Sequence, residues 1–301
     1  MGYTLCTGLP MDAGNTGNFR TWGGAMHDAF ANCGWVQANT ATDAGQIDWT
    51  SVTAANAANQ TRGYEIWSMN DALQATAPVT LKIQYGSGVN YAASTRTLIS
   101  IGRLPSGNVS TGNLTFPVSA VVDGSTYRNN LNTTTLDPSW VCGSNNRIWM
   151  NMGWVNGEYG ATNGQFFSIE RTHDASGNDT AEGATIVMRG GGSTPRLQYQ
   201  YWNAVTGSTP LTTSMGVLLP VATSGCDGNT LCLYPIQFDR GIMTYPLLNA
   251  LGYDSTNIYL GSYFTVSHYA VNHSFIAFGS IGFGAGYGAR NGNLGLALRY
   301  E

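Results

Sequence analysis

Apolar residues recur at helical spacing in one stretch of the chain. In Asn18–Gly34 they fall at Phe19, Trp22, Met26, Ala29, Phe30 and Cys33, three or four apart, which predicts an amphipathic α-helix. Gly34 stands where a C-cap glycine would end it, and Asn15, Thr16 or Asn18 can cap its start. A second, short helical turn is expected at Asn70–Gln74.

Elsewhere the period is two. Tyr64–Met69, Val79–Tyr85 and Thr97–Arg103 alternate apolar and polar positions as half-buried strands do. Phe116–Val122, Arg147–Val155, Phe166–Thr172, Gly183–Arg189, Leu197–Trp202 and Met215–Val221 continue the series. Leu231–Phe238, Asn257–Tyr269, Ser274–Gly279 and Leu294–Tyr300 complete it. Clusters such as Gly86-Ser-Gly88, Ser106-Gly-Asn108 and Gly190-Gly-Gly192 supply turn chemistry between them. Many short strands without helical crossovers predict a mostly β chain, an antiparallel sandwich or jelly roll with one N-terminal helix. Residues 1–301 are read as a single large β domain. The alternative is a two-lobe chain divided in the Asn- and Thr-rich stretch Asp123–Thr135.

Composition agrees and adds a second point. The 39 glycines disfavour long helices, and 43% hydrophobic residues suffice for a core. Charged residues are only 10%, against roughly 25% in an ordinary soluble domain. Of 13 basic residues a single one, Lys82, is lysine, while 8 Trp and 16 Tyr raise the aromatic share to 11%. Subunit interfaces are depleted in Lys and Glu and enriched in Arg and aromatics, so neighbouring copies are expected to cover much of the surface. Lineage bias in amino-acid usage is the plainer explanation of the same numbers. A net charge of −4 without any basic run argues against nucleic acid as the main partner.

Nothing in Met1–Gly17 reads as a signal peptide, and no apolar run approaches a bilayer span. Synthesis in a cytoplasm without membrane insertion is therefore expected. The five cysteines form no metal pattern. Cys226 and Cys232 flank a short loop and could be bridged in a hairpin. Cys6, Cys33 and Cys142 are scattered, and an odd count favours free, buried thiols.

Candidate chemistry is thin. Asp174, Ser176, Asn178, Thr180 and Glu182 place oxygens at alternate positions, loosely like a calcium loop, with Asp174, Asn178 and Glu182 as the weak ligand set. The glycine is misplaced and strands flank the run, so a hairpin tip is the expectation, and no metal or other cofactor is assigned. His27, His173, His268 and His273 accompany neither a Gly-x-Ser-x-Gly elbow nor a His-Glu-x-x-His helix. Glu65 and Glu170 stand inside strand patterns, where pairing with an arginine such as Arg171 or Arg189, or exposure to solvent, is the ordinary outcome. The glycine series Gly279–Gly288 lacks the helix and acid of a dinucleotide site. Trp140, Trp149, Trp154, Tyr159, Tyr199, Tyr201 and Trp202 can stack on sugars, line a subunit interface or pack a core. No catalytic residues are assigned.

Several phrases resemble a group of structural proteins from tailed bacteriophages. They are Phe19-Arg-Thr-Trp22, Asp43-Ala-Gly-Gln46-Ile-Asp48-Trp49 and the run Gly63–Pro78, then Leu81–Gly88, Phe166–Asp174 and Phe275–Gly279. The resemblance implies a non-enzymatic virion component of the tail, baseplate, neck or capsid surface. Its partners would be itself, as a homo-oligomer, and other virion proteins. It transfers no site residues. The alternative is a carbohydrate-binding, receptor-recognition protein of the phage tail, whose partner is a host cell-surface glycan.

Overall fold

The structure is a computed structural model that describes residues 2–6, 15–38, 45–53, 61–87, 95–102, 121–124, 139–152, 165–190, 196–203, 208–213, 233–239, 244–254, 263–268, 271–280 and 294–300. Within them lie one helix and three sheets whose paired strands all run antiparallel. The chain is mostly β, as the alternation predicts.

The helix, α1 (Thr16–Asn32), begins two residues earlier than its apolar stripe suggests because Asn15 caps it, its Oδ1 accepting the Asn18 N–H at 3.0 Å. At the other end Gly34 adopts φ +89°, a conformation costly for any residue with a Cβ. That turn lets the Gly34 N–H reach the Ala31 carbonyl and the Trp35 N–H the Phe30 carbonyl. The rings of Phe30 and Trp35 then meet edge to face, 6.1 Å apart, closing a Schellman cap with its hydrophobic contact. The segment Asn70–Gln74 forms hydrogen-bonded turns and no helix: Gln74 N–H bonds Asp71, and both Thr76 and Ala77 bond Leu73.

The largest sheet orders β1 (Gly2–Cys6), β7 (Ser139–Ser144), β8 (Arg147–Met152), β9 (Gln165–His173), β10 (Asp179–Gly190), β11 (Arg196–Asn203) and β12 (Ser208–Thr213). A second sheet is the meander β2 (Val36–Gln37), β3 (Thr61–Ser68), β4 (Thr80–Ser87), β5 (Thr95–Gly102) and β6 (Val121–Gly124). The third orders β13 (Leu233–Asp239), β14 (Thr244–Asp254), β17 (Leu294–Arg299), β16 (Val271–Ser280) and β15 (Tyr263–His268).

One core joins the first two sheets and the helix. Phe19, Trp22, Met26 and Phe30 of α1 pack with Trp67, Leu81, Ile83 and Tyr85 of β3 and β4, and with Val141, Ile148, Phe167, Ile169 and Ile186 of β7 to β10. Each such side chain contributes about 1.5–3 kcal/mol by leaving water. The core draws on residues from both sides of the Asp123–Thr135 stretch, most of which lies outside the described residues. The opposite face of the seven-stranded sheet meets the third sheet, where Trp149 Nε1–H donates to the Arg299 carbonyl and the Leu248 N–H donates to Glu170. A smaller cluster of Leu251, Phe275, Ala277 and Ala297 fills the third sheet, with Phe264 and Val266 against it.

Cys33 and Cys142 are buried thiols outside any disulfide, as the scattered cysteines lead one to expect. Burial pushes the Cys33 thiol up to about 12, which keeps it protonated. Cys226, Cys232, Met215–Val221 and most of the Gly279–Gly288 series lie outside the described residues. No described helix is long and apolar enough to cross a membrane.

Candidate functional site

Two buried polar constellations stand out, and both are built on residues that interrupt apolar strand faces. The first centres on Glu65, 1% exposed. The β3–β4 register pairs Glu65 with Ile83 and Trp67 with Leu81, so the carboxylate occupies a face that is otherwise core. Its charge is met by four donors. His27 Nδ1 approaches Oε1 at 2.6 Å and Trp49 Nε1–H at 3.0 Å. Tyr85 O–H donates to Oε2 at 2.9 Å and Trp67 Nε1–H at 3.4 Å. A carboxylate can accept about four hydrogen bonds, so Glu65 is saturated.

Helix α1 supplies His27 from its core-facing side, and the segment 45–53 supplies Trp49, so one buried acid ties three separate pieces of chain together. The hydrogen bond to Glu65 raises the His27 pKa against the opposing effect of burial. Burial, reinforced by the Glu65 charge, holds the Tyr85 phenol well above its usual range and so as a neutral donor. Trp67 and His27 rings lie 5.1 Å apart. The carboxylate–imidazole pair has the form of two members of a catalytic triad. Among the described residues no hydroxyl or thiol is hydrogen-bonded to His27, and all four Glu65 bonds run to groups that the fold itself positions.

The second constellation lies on the seven-stranded sheet. Arg171, fully buried, sits on the core face of β9 and reaches the connection between β3 and β4. Its Nη2 donates to Asp71 Oδ1 at 2.9 Å, its Nε to Asp71 Oδ2, and its Nη1 to the Ala77 carbonyl at 2.9 Å. Its neighbour Glu170 faces the other way and accepts the Leu248 N–H at 3.0 and 3.2 Å, with His173 Nε2 at 3.7 Å. Successive residues of one strand thus fasten the central sheet to the two sheets flanking it. Glu65 is held by His27, Tyr85 and two tryptophans, whereas Glu170 accepts a backbone amide, with His173 and the Arg299 charge near it. Sequence inspection missed Asp71 and Tyr85 as partners, since their contacts are set by packing and not by any local spacing.

The loosely calcium-like run folds as a hairpin tip. Asp174 accepts the Ser176 and Asn178 N–H groups at 2.8 and 2.9 Å and the Asn178 side-chain amide at 3.1 Å. Those bonds, the one from the Asn178 backbone first, lower the Asp174 pKa. Glu182 is exposed farther along β10. No group of three or more potential metal ligands occurs among the described residues.

Of the aromatic set, Trp140 and Trp149 are core residues, 3% and 0% exposed, so neither offers an open ring face to a sugar or to a neighbouring subunit. Tyr201 and Trp202 pair with Thr185 and Ala184 in the β10–β11 ladder. Trp154 and Tyr159 lie outside the described residues. His268 and His273 share the β15–β16 hairpin, paired with Val271 and Val266. Comparison of the chain with protein-family models, curated proteins and solved structures found no match.

Proposed function

We propose that this chain is a structural subunit of a virus particle, of the tailed-bacteriophage kind, and that it works by assembling in multiple copies. The observation that carries the proposal is where the cations go. The single lysine, Lys82, lies over the Tyr64 ring at 4.3 Å. Arg20 spends its Nε and Nη2 on the Val52 and Ser51 carbonyls, both at 2.6 Å. Arg171 is committed to Asp71, Arg147 to Asp179, and burial lowers the Arg299 pKa to about 10. A chain already poor in charge thus ties Arg20, Lys82, Arg147 and Arg171 into internal contacts, which leaves less charge to keep an open surface hydrated. Such a surface suits burial against neighbours. Asp71 and Glu170 serve the same end by linking sheets, and a mechanically coupled β subunit is what a particle wall or tail requires.

The assignment to a tailed-phage virion, as opposed to another assembly, rests on the sequence phrases alone. Virus particles purified from the culture that encodes the chain provide the test. Quantitative mass spectrometry is expected to recover it at many copies per particle. Its absence from purified particles contradicts the proposal.

A further inference from the structure

Among the described residues three sheets present six edges, and the strands at five of them are short, interrupted by proline or in contact with another element. Strand β2 has two residues and β6 four, ending in Asp123 and Gly124. Pro210 interrupts β12, and Pro235 with a register shift interrupts β13. Strand β1 is in contact with α1. These are the devices that keep a sheet from pairing with another. Strand β15 has none. It reads Tyr-Phe-Thr-Val-Ser-His, without proline, formal charge or bulge, and its register with β16 is unbroken from Tyr263–Ile276 to His268–Val271. Among the described residues no strand pairs on its far side.

The direction of its backbone follows from the neighbouring strand. The Ser274 carbonyl accepts the Tyr300 N–H at 2.9 Å, on the β17 side. In an antiparallel ladder both backbone groups of a residue point the same way, so Thr265, the partner of Ser274, turns its N–H and C=O away from β16. Ser267 has the same parity, whereas Phe264 and Val266 bond to β16. The two most exposed large apolar side chains among the described residues, Tyr263 at 54% and Val271 at 55%, also belong to this hairpin.

We infer that the outer edge of β15 pairs antiparallel with β15 of a second copy, about a two-fold axis through Thr265. The inference rests on the multi-copy assembly proposed above and identifies the surface it uses. The strand is complementary to itself. In this register Thr265 faces Thr265, Tyr263 faces Ser267, and Phe264 faces Val266, with no like charges opposed. Phe264 and Val266 already rim the small cluster of Leu251, Phe275, Ala277 and Ala297. A second copy carries that cluster across the axis, which an unrelated strand does not.

The test uses the full chain. In sedimentation velocity the wild type is expected to dimerise reversibly. Thr265→Pro removes an N–H that the β15–β16 ladder does not use, and Thr265→Lys opposes two charges on the axis; both are expected to abolish the dimer while keeping the circular dichroism spectrum of the wild type. If the proline variant does not fold, the lysine variant decides. Under oxidation Thr265→Cys is expected to trap a covalent dimer, because hydrogen-bonded partners lie about 5.5 Å apart at Cα. Ser267→Cys is not, since the two positions fall about 13 Å apart along the strands. A monomeric wild type, a dimer that survives Thr265→Pro and Thr265→Lys, or equal trapping at both positions overturns the β15 edge. None of these removes the chain from a particle, which the virion measurement judges separately.

Discussion

Arg171 donates two hydrogen bonds to the carboxylate of Asp71, Nη2 to Oδ1 at 2.9 Å and Nε to Oδ2, between residues 100 positions apart. The guanidinium is fully buried and the carboxylate nearly so, at 0% and 9% exposure. A pair this enclosed is held because each charge has the other, and removing one strands its partner in the core.

Asp71→Ala is therefore expected to destabilise the fold by about 3–5 kcal/mol, the cost of an uncompensated buried charge. Replacing both members, as Asp71→Leu with Arg171→Met, is expected to recover part of that loss, since the lone guanidinium is gone. Urea unfolding of the two variants checks the order. If the double variant is the less stable, the pair is more than a fastener.

The His27–Glu65 contact predicts a pH dependence of known sign. The folded-state pKa of His27 is raised above its usual 6.5, chiefly by the hydrogen bond to Glu65. A raised value means the folded chain holds the proton more tightly than the unfolded chain. Its contribution is thus complete below about pH 6.5 and is lost as pH climbs through the raised value. His27→Gln is expected to flatten the stability profile in that window. A profile unchanged by the substitution would mean the imidazole carries no proton in the pair.

Two adjacent helix glycines offer an internal control. A Cβ on Gly24 meets nothing within 4 Å, whereas one on Gly23 falls 2.0 Å from the Trp49 ring. Gly24→Ala is expected to stabilise by about 0.5–1 kcal/mol through helix propensity. Gly23→Ala is expected to lose about 1–3 kcal/mol through overpacking, because Trp49 must leave the position from which it bonds Glu65. Thermal melts of the pair should move in opposite directions.

Asp174 spends its oxygens on the amides of its own turn. Asp174→Ala should lower the melting temperature slightly, because the turn amides lose their acceptor to water. Chelator should leave the melting temperature unchanged; a fall of several degrees would show that a cation shares those oxygens.

The periodic parts of the fold were legible in the sequence. The helix followed from the spacing of Phe19, Trp22, Met26 and Phe30, and β3, β4, β5, β9 and β11 from alternation. Strand β14 was not, because Pro246, Asn249 and Gly252 break its period while its neighbours in the sheet impose the extended form. Strands β7 and β12 escaped for similar reasons, the one carrying Gly143 and the other Pro210. Glu65 and Glu170 could be singled out as acids inside strand patterns. Their partners could not, since His27, Tyr85 and Leu248 reach them only through the packing of distant elements.

The structure of the assembly that contains the chain, by cryo-electron microscopy, tests the central claim most directly. Repeated copies in closed or lattice symmetry are expected, with each pair burying more than about 1,000 Å² in total, as a specific interface does. Copies that touch over less than about 800 Å², the size of a packing contact, would contradict it.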